Sequence, residues 1–268
     1  MTRLLDGQVA LVTGAGRGLG RAFAEHLAAL GCAVAVHGLR EHGPAEFGEG
    51  TTLSATAQAI AAAHGVRAMP VLGDLTTPEG CDAVVSAASA LGALDIVVHN
   101  AGGDIAARGG KPDPNDAVAI RPDDVRSVLD RNLMSTIFLC QRVAPGMMKR
   151  RRGRIVTVSS VAAFRGRATA AIYATAKAAV VEYTRCLAEQ LRPYEVTANS
   201  LAPGETRTGR FLATRAVAAE RLAEGGTLDR VATVDEVART IAFFAGPMGA
   251  FVTGQVLRVD GGGQLFPA

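Results

Sequence analysis

The chain contains no tryptophan, and only three tyrosines and nine phenylalanines occur among its 268 residues. This shortage gives no support to an extended aromatic pocket that would stack on a sterol. Its four cysteines lie far apart, without a Cys-x-x-Cys pair and without histidines clustered near them. We therefore predict no metal site, and we interpret the cysteines as reduced thiols of a cytoplasmic protein.

Long apolar runs and a strong net charge are also missing. No apolar run reaches the roughly 18 residues of a membrane-spanning helix, and Asp6 and Gly7 interrupt the segment where a secretory signal would be apolar. Lys and Arg total 28 against 25 Asp and Glu, a net charge of +3. The basic run 149–154 is predicted to end a helix, where cations complement the helix dipole. We expect neither a membrane nor a nucleic-acid partner.

The chain does have an alternation of short β-rich runs with longer alanine-rich segments of helical period. This pattern predicts a doubly wound, Rossmann-like α/β fold, a seven-stranded parallel sheet with helices on both faces. The predicted strands are residues 8–13, 33–37, 67–72, 94–99, 154–159, 196–201 and 255–259. The predicted helices are residues 19–30, 54–64, 78–91, 123–151, 170–191 and 234–244. Pro70 places the third strand at an edge of the sheet, because proline cannot donate to a ladder.

Three segments interrupt this rhythm: residues 41–52, 102–122 and 204–229. Each is longer than the usual connection of about 2–6 residues, and long loops of this kind often carry specificity. We find no internal repeat and no change of composition that would mark a linker. We therefore predict a single dinucleotide-binding and catalytic domain over residues 1–268.

A glycine-rich segment, Thr-Gly-Ala-Gly-Arg-Gly-Leu-Gly at residues 13–20, joins the first predicted strand to a helix. Its glycines permit a tight turn and let backbone N–H groups approach a pyrophosphate at the positive end of that helix. A plain glycine turn is the structural alternative, but the strand and helix on either side favour a dinucleotide. The predicted cofactor contacts here are Gly14, Gly16, Arg17, Gly18, Leu19 and Gly20.

Tyr173 and Lys177 are four residues apart on a predicted helix, so that both side chains lie on one face. A neighbouring ammonium favours the phenolate and lowers the tyrosine pKa from its usual value of about 10. Ser160 ends the fifth predicted strand, at the sheet edge where ligands bind in such folds. We predict that Ser160 binds a substrate oxygen and that Tyr173 is the general acid and base.

These motifs, in this order, resemble those of the short-chain dehydrogenase/reductase family along essentially the whole chain. The glycine spacing, the Asn-Ala-Gly sequence at residues 100–102 and Tyr-x-x-x-Lys preceded by Ser160 carry the resemblance. It implies that Lys177 binds the nicotinamide ribose and that Asn132 fixes a water connecting Lys177 to solvent. It also implies that residues 204–229 form a movable substrate cover. The cofactor contacts that the resemblance adds are Asp74, Leu75, Asn100, Ala101, Gly102, Tyr173, Lys177, Pro203, Gly204, Thr206 and Thr208.

The end of the second strand bears on the choice of nicotinamide. NAD-binding folds usually place a carboxylate there, but this chain has Gly38 at that position. Arg40, together with Arg17, offers cations to a 2′-phosphate. We predict NADP(H) in preference to NAD(H), although Glu41 and the insertion that follows it leave NAD(H) open.

Taken together, the residues predict an oxidoreductase that interconverts a secondary alcohol and a ketone by hydride transfer with NADP(H). The alternatives are a catalytically idle nicotinamide-sensing protein, an NAD-linked dehydrogenase of the same fold, and a non-redox lyase or epimerase. The intact set of Ser160, Tyr173 and Lys177 argues against an idle protein. The family resemblance implies a homotetramer or homodimer that pairs helices 123–151 and 170–191. The sequence specifies no particular substrate, stereochemistry or direction.

Overall fold

The computed structural model describes residues 3–223 and 225–266, and within them the chain forms a seven-stranded sheet. All of its neighbouring strands pair in parallel, in the order β3-β2-β1-β4-β5-β6-β7. The strands are β1 (Val9–Thr13), β2 (Ala33–Gly38), β3 (Ala68–Leu72), β4 (Ile96–His99), β5 (Gly153–Val158), β6 (Val196–Pro203) and β7 (Val256–Val259). The predicted Rossmann-like fold is confirmed, and β3, which contains Pro70, lies at an edge as expected.

Helices cover both faces of this sheet. They are α1 (Gly18–Ala29), α2 (Leu53–His64), α3 (Pro78–Ala88), α4 (Pro122–Leu129), α5 (Ser135–Arg150), α6 (Ala171–Leu191), α7 (Gly209–Thr214), α8 (Val234–Ala238) and α9 (Ile241–Ala245). Helices α1, α2, α8 and α9 pack on one face, and α3, α5 and α6 pack on the other. Within β1, Ala10 and Val12 belong to the first cluster, and Val9 and Leu11 belong to the second. Burial on both faces explains why β1 is almost wholly apolar.

The order of the strands places a crevice at one edge of the sheet. Strands β2 and β3 lie on one side of β1, whereas β4 and the later strands lie on the other. The connections therefore diverge at the carboxyl ends of β1 and β4, and this divergence leaves a crevice where ligands bind in open α/β sheets.

The predicted helix 123–151 is interrupted. A π-helical turn, Asp130–Met134, separates α4 from α5. The side chain of Asn132 donates to the Val128 carbonyl at 2.8 Å, an acceptor that a regular helix uses for its own backbone N–H. Turns of this kind occur mostly as single insertions within helices, frequently at functional sites.

Other predicted boundaries are close to those of the structure, with local exceptions. The predicted helix 234–244 is divided into α8, which begins with a Thr233–Glu236 capping box, and α9. Residues 41–52 contain a tight turn, Gly43–Phe47, and residues 204–229 contain α7, which periodicity did not reveal. In the part of the chain that is described, no helix is both long and apolar enough to span a bilayer.

The basic run 149–154 lies at the amino edge of the sheet and is engaged within the protein. Arg151 pairs with Glu195 at 2.8 Å, and Arg152 pairs with Asp95 at 3.1 Å. Arg150 donates to the carbonyl of Leu94. These contacts join the end of α5 to neighbouring connections.

Candidate active site and cofactor cleft

The glycine-rich loop turns β1 directly into α1. Gly14 and Gly18 have positive φ angles of 61° and 54°, which favour glycine. A Cβ on Gly20 would lie 2.0 Å from the carbonyl oxygen of Gly14, so the loop closes tightly against the helix. The N–H of Gly18 donates at 2.6 Å to the carboxylate of Glu49. Since this backbone already binds an anion of the chain itself, its chemistry fits a pyrophosphate.

The Asn-Ala-Gly segment after β4 fastens the loop to the sheet. The hydroxyl of Thr13 accepts the N–H groups of Asn100 and Ala101, each at 3.0 Å. The Asn100 side chain donates to the carbonyls of Thr13 and Gly14, at 3.3 and 3.2 Å. Asn100, which follows the neighbouring strand β4, thus fixes the first turn of the glycine-rich loop at residues 13–20, here called the cradle.

A buried histidine that the sequence analysis missed extends this network. His99 Nδ1 lies 3.0 Å from the Thr13 hydroxyl, and Nε2 lies 3.1 Å from that of Ser135. Ser135 donates its proton to the Arg131 carbonyl, so Nε2 is assigned as the protonated nitrogen. Burial lowers the pKa of His99 to about 3, which keeps the ring neutral. His99 therefore connects β1 to the π-helical turn.

Lys177 is buried beside the end of β5. Its Nζ donates to the Val158 carbonyl at 2.8 Å and lies 5.8 Å from the centroid of the Tyr173 ring. Ser159 donates its hydroxyl to the Lys177 carbonyl, which fixes α6 against β5. Burial lowers the pKa of Lys177 from 10.5 to about 8, so the amine remains mostly protonated at pH 7.

The hydroxyl of Tyr173 is hydrogen-bonded to the side chain of Ser160. Burial raises the pKa of Tyr173, whereas its hydrogen bond with Ser160 and the charge of Arg210 act in the opposite direction. The net upward direction differs from the expectation that Lys177 makes the phenol acidic. The reason is that burial, the largest cause, outweighs the opposing hydrogen bond and charges.

Asn132 is fully buried inside the π-helical turn. Its Nδ2 donates to the Gly103 carbonyl at 2.9 Å, and its Oδ1 accepts the Gly103 N–H at 3.0 Å. A Cβ on Gly102 would stand 2.6 Å from this Oδ1, so that the close approach requires glycine. Asn132 therefore holds the segment after β4 in place, in contact with the predicted Asn-Ala-Gly motif.

The other predicted cofactor residues also lie near the carboxyl ends of the strands. Asp74 accepts the N–H and hydroxyl of Thr76 in a turn after β3, and Leu75 is buried beside it. Pro203 ends β6, and Gly204 follows it, with the Thr206 hydroxyl donating to the Gly204 carbonyl at 3.1 Å. Thr208 caps α7, and its methyl group lies 3.2 Å from where a Cβ on Gly18 would stand. A cavity of about 310 Å³ opens beside Asp74 and Leu39.

The two cations predicted to meet a 2′-phosphate have different surroundings. Arg17 pairs with Glu46 at 2.6 Å and stacks on Phe47, 4.7 Å from the ring centroid. Arg40 is exposed after β2. Glu46 and Glu49 both come from residues 41–52, which were predicted only as a loop. No local motif marks these contacts, because the contacting groups are 29 and 31 residues apart.

Arg210, the second residue of α7, is a further site residue that sequence reasoning missed. Its guanidinium donates to the Asp104 carbonyl at 3.1 Å and reaches toward Gly103. It is near enough to Tyr173 to lower the pKa of the phenol. Among the residues that the structure describes, no group of three His, Cys, Asp or Glu side chains could hold a metal ion.

Comparisons with known proteins place this geometry in a family. A family profile described as short chain dehydrogenase matches residues 8–217. Cyclohexanol dehydrogenase of Rhodococcus sp. (strain TK6) is 38% identical, over 96% of this chain and 96% of the relative. The 3-oxoacyl-acyl-carrier-protein reductase FabG of Vibrio cholerae serotype O1 is 35% identical, over 96% of this chain and 98% of the relative.

Solved structures agree with this relationship. A 7α-hydroxysteroid dehydrogenase complexed with NADH and 7-oxo glycochenodeoxycholic acid superposes with a TM-score of 0.81 at 28% identity, covering 97% of this chain and 95% of that one. A short-chain type dehydrogenase/reductase from Mycobacterium ulcerans gives a TM-score of 0.83 at 29% identity, covering 96% of this chain and 90% of that one. The sheet order, the glycine-rich cradle and these matches together show that the chain belongs to the short-chain dehydrogenase/reductase family of NAD(P)-dependent oxidoreductases.

Proposed function

We propose that this oxidoreductase interconverts a secondary alcohol and a ketone with NADP(H), and that Tyr173 is its general acid and base. The observation that carries the proposal is the group formed by Tyr173, its hydrogen-bond partner Ser160 and the buried Lys177 at the carboxyl edge of the sheet. The glycine-rich cradle opens at this same edge, where β1 meets α1.

The roles of the side chains follow from their positions. In the reductive direction, the Tyr173 phenol donates its proton to the substrate oxygen, and the oxidative direction reverses this transfer. Burial keeps the phenol protonated at neutral pH, as a proton donor requires. Ser160 donates a hydrogen bond to the same substrate oxygen. The nicotinamide, when bound, supplies or accepts the hydride.

Lys177 and Asn132 support the reaction beside Tyr173 and Ser160. Lys177 carries a positive charge at neutral pH, and its Nζ has N–H donors beyond the one bound by Val158, which suit the ribose hydroxyls. Asn132 fixes the backbone at Gly103, and we propose that the π-helical turn around it orders the water that connects Lys177 to solvent.

The preference for NADP(H) is supported by the charges after β2. Gly38 supplies no carboxylate, and the carboxylate of Glu41 instead accepts the Ser54 N–H at 3.0 Å, at the start of α2. It is therefore engaged away from a ribose. Since Arg17 is paired with Glu46, Arg40 is the cation that we assign to a 2′-phosphate.

The substrate and the assembly are proposed at a coarser level. Relatives named for cyclohexanol and for 3-oxoacyl groups support a small-molecule ketone or alcohol. We propose a homotetramer, or a homodimer, that pairs α5 and α6, each protomer a single domain over residues 1–268. Exposed apolar side chains near β7, among them Phe251 and Leu265, support association between copies.

A panel of ketones and secondary alcohols, assayed with both cofactors, tests this proposal. Reduced-nicotinamide absorbance should fall with a suitable ketone, and NADPH should bind more tightly than NADH in a fluorescence titration. Binding without turnover of any compound would favour the nicotinamide-sensing alternative. Tighter binding of NADH would favour the NAD-linked dehydrogenase.

A further inference from the structure

Residues 41–52, here called the strap, lie across the glycine-rich cradle. Pro44 packs close to Gly16, with its Cγ 3.1 Å from where a Cβ on that glycine would stand. Glu46 pairs with Arg17 of the cradle. Arg21 of α1 donates to the carbonyl of Glu49 at 2.8 Å. The strap is thus fastened to the loop and to the first turns of α1.

The side chain of Glu49 reaches into the cradle itself. Its Oε2 accepts the N–H of Gly18, the first residue of α1, at 2.6 Å. Its Oε1 accepts the N–H of Gly209, the first residue of α7, at 2.7 Å. One carboxylate therefore bridges the phosphate-binding loop and the segment predicted to cover the substrate.

The glycine at position 209 gives independent support to this contact. A Cβ there would stand 2.5 Å from Glu49 Oε1, closer than side chains allow. The φ angle of Gly209 lies outside the left-handed region, so the backbone conformation does not call for glycine. The missing side chain makes room for the carboxylate of Glu49.

We propose that Glu49 is an internal anion that competes with the pyrophosphate of the cofactor for the Gly18 N–H, and thereby sets cofactor affinity. A phosphate oxygen that accepts this N–H must lie within about 3.2 Å of the nitrogen, and Glu49 Oε2 already stands 2.6 Å from it. Two negative groups cannot share this donor at that distance, because they repel each other. Cofactor binding therefore displaces Glu49 from Gly18.

Displacement also releases a contact at the other side of the cleft. Because the same carboxylate holds the Gly209 N–H, its departure also breaks the hydrogen bond between the strap and the first residue of α7. Cofactor binding thus removes one restraint on the first residue of α7, within the 204–229 segment. This inference rests on the proposed cofactor site, but it makes a separate claim about the chain's own carboxylate.

Calorimetric titration of the full-length protein with inorganic pyrophosphate and with NADPH tests the proposal. Glu49→Gln removes the competing charge, and we expect both ligands to bind about tenfold more tightly, given the strength of hydrogen bonds to charged groups. Gly209→Ala should expel the carboxylate and produce the same gain. The double variant should bind no more tightly than the single variants, because both changes break one contact. Glu189→Gln removes an equal charge on the exposed end of α6 and should leave both affinities unchanged.

Hydrogen exchange gives a second readout that needs no cofactor. The Gly18 and Gly209 amides should exchange faster in Glu49→Gln than in the parent protein. Unchanged or weaker binding of pyrophosphate in both Glu49→Gln and Gly209→Ala would overturn the proposal, leaving the proposed function intact. Tighter pyrophosphate binding without any binding of NADPH or NADH would support the role of Glu49 and contradict the cofactor assignment.

Discussion

The catalytic group and the strap line the same cleft but are held by different kinds of contact. Lys177 and Asn132 are buried, and their polar atoms bind backbone carbonyls and N–H groups of Val158 and Gly103. The strap and the 204–229 segment are held largely by carboxylates and guanidinium groups that water reaches, such as the Arg221–Glu205 pair. Water can replace the second kind of contact at little cost, whereas the first kind is shielded from bulk solvent. The active-site geometry is therefore fixed, whereas the cofactor entrance can rearrange.

The largest expected effect is at the hydroxyl of Tyr173. Tyr173→Phe removes the proton that the substrate oxygen must gain or lose, and we expect kcat to fall by about 10²- to 10⁴-fold. NADPH affinity should change little, because the phenol ring remains. Steady-state kinetics and a fluorescence titration on the same preparation measure both quantities. A variant that turns over at the parent rate would remove Tyr173 from the mechanism.

The next largest effect is a difference in stability between variants of the buried site and variants of the exposed 204–229 segment. Asn132→Ala removes the hydrogen-bond partner of the Gly103 N–H, the Gly103 carbonyl and the Val128 carbonyl. We expect this change to lower the free energy of unfolding by roughly 3 kcal/mol or more. Arg221→Ala breaks an exposed ion pair and should cost about 0–1 kcal/mol. Urea unfolding of both variants measures the difference. Equal losses would contradict the contrast between buried and exposed contacts.

The buried amine of Lys177 gives the site a pH signature. Since its pKa falls from 10.5 to about 8, the unfolded chain holds this proton over that interval while the folded chain has released it. Unfolding then takes up a proton, so this contribution to stability rises with pH between about 8 and 10.5, by roughly 3 kcal/mol at most. Below pH 8 it is constant, because both states are charged. The free energy of unfolding of the parent protein minus that of Lys177→Met, measured by urea unfolding at several pH values, should show this rise. A difference that does not change with pH would indicate that the amine of Lys177 is exposed to water.

The smallest effect is expected at the entrance, at Arg40. Arg40→Ala should weaken NADPH binding by about tenfold, the scale of one charge-assisted contact, and should leave NADH binding nearly unchanged. Titrations of the parent protein and the variant with both cofactors measure the ratio of the dissociation constants for NADPH and NADH. An equal loss for both nucleotides would show that Arg40 does not bind the 2′-phosphate.

Sequence patterns located the regular elements well and the irregular ones poorly. Tyr173 and Lys177 could be placed on one face because helical period is a local property, and Pro70 marked an edge strand because proline lacks an N–H. The π-helical turn around Asn132 was missed, since it depends on the side chain of Asn132 meeting Gly103 from another segment. The direction of the Tyr173 pKa was also missed, because burial depends on everything packed around the ring.

By itself the sequence determined the alternation of strands and helices, the glycine-rich turn and the spacing of the catalytic side chains. Each of these depends on residues close together in the chain, where local geometry decides which groups meet. Only the tertiary structure decided that Glu49 binds Gly209, a partner 160 residues away, that His99 joins β1 to the π-helical turn, and that Lys177 is buried. Such contacts arise where distant segments pack together, and no local pattern of residues encodes which distant groups will meet.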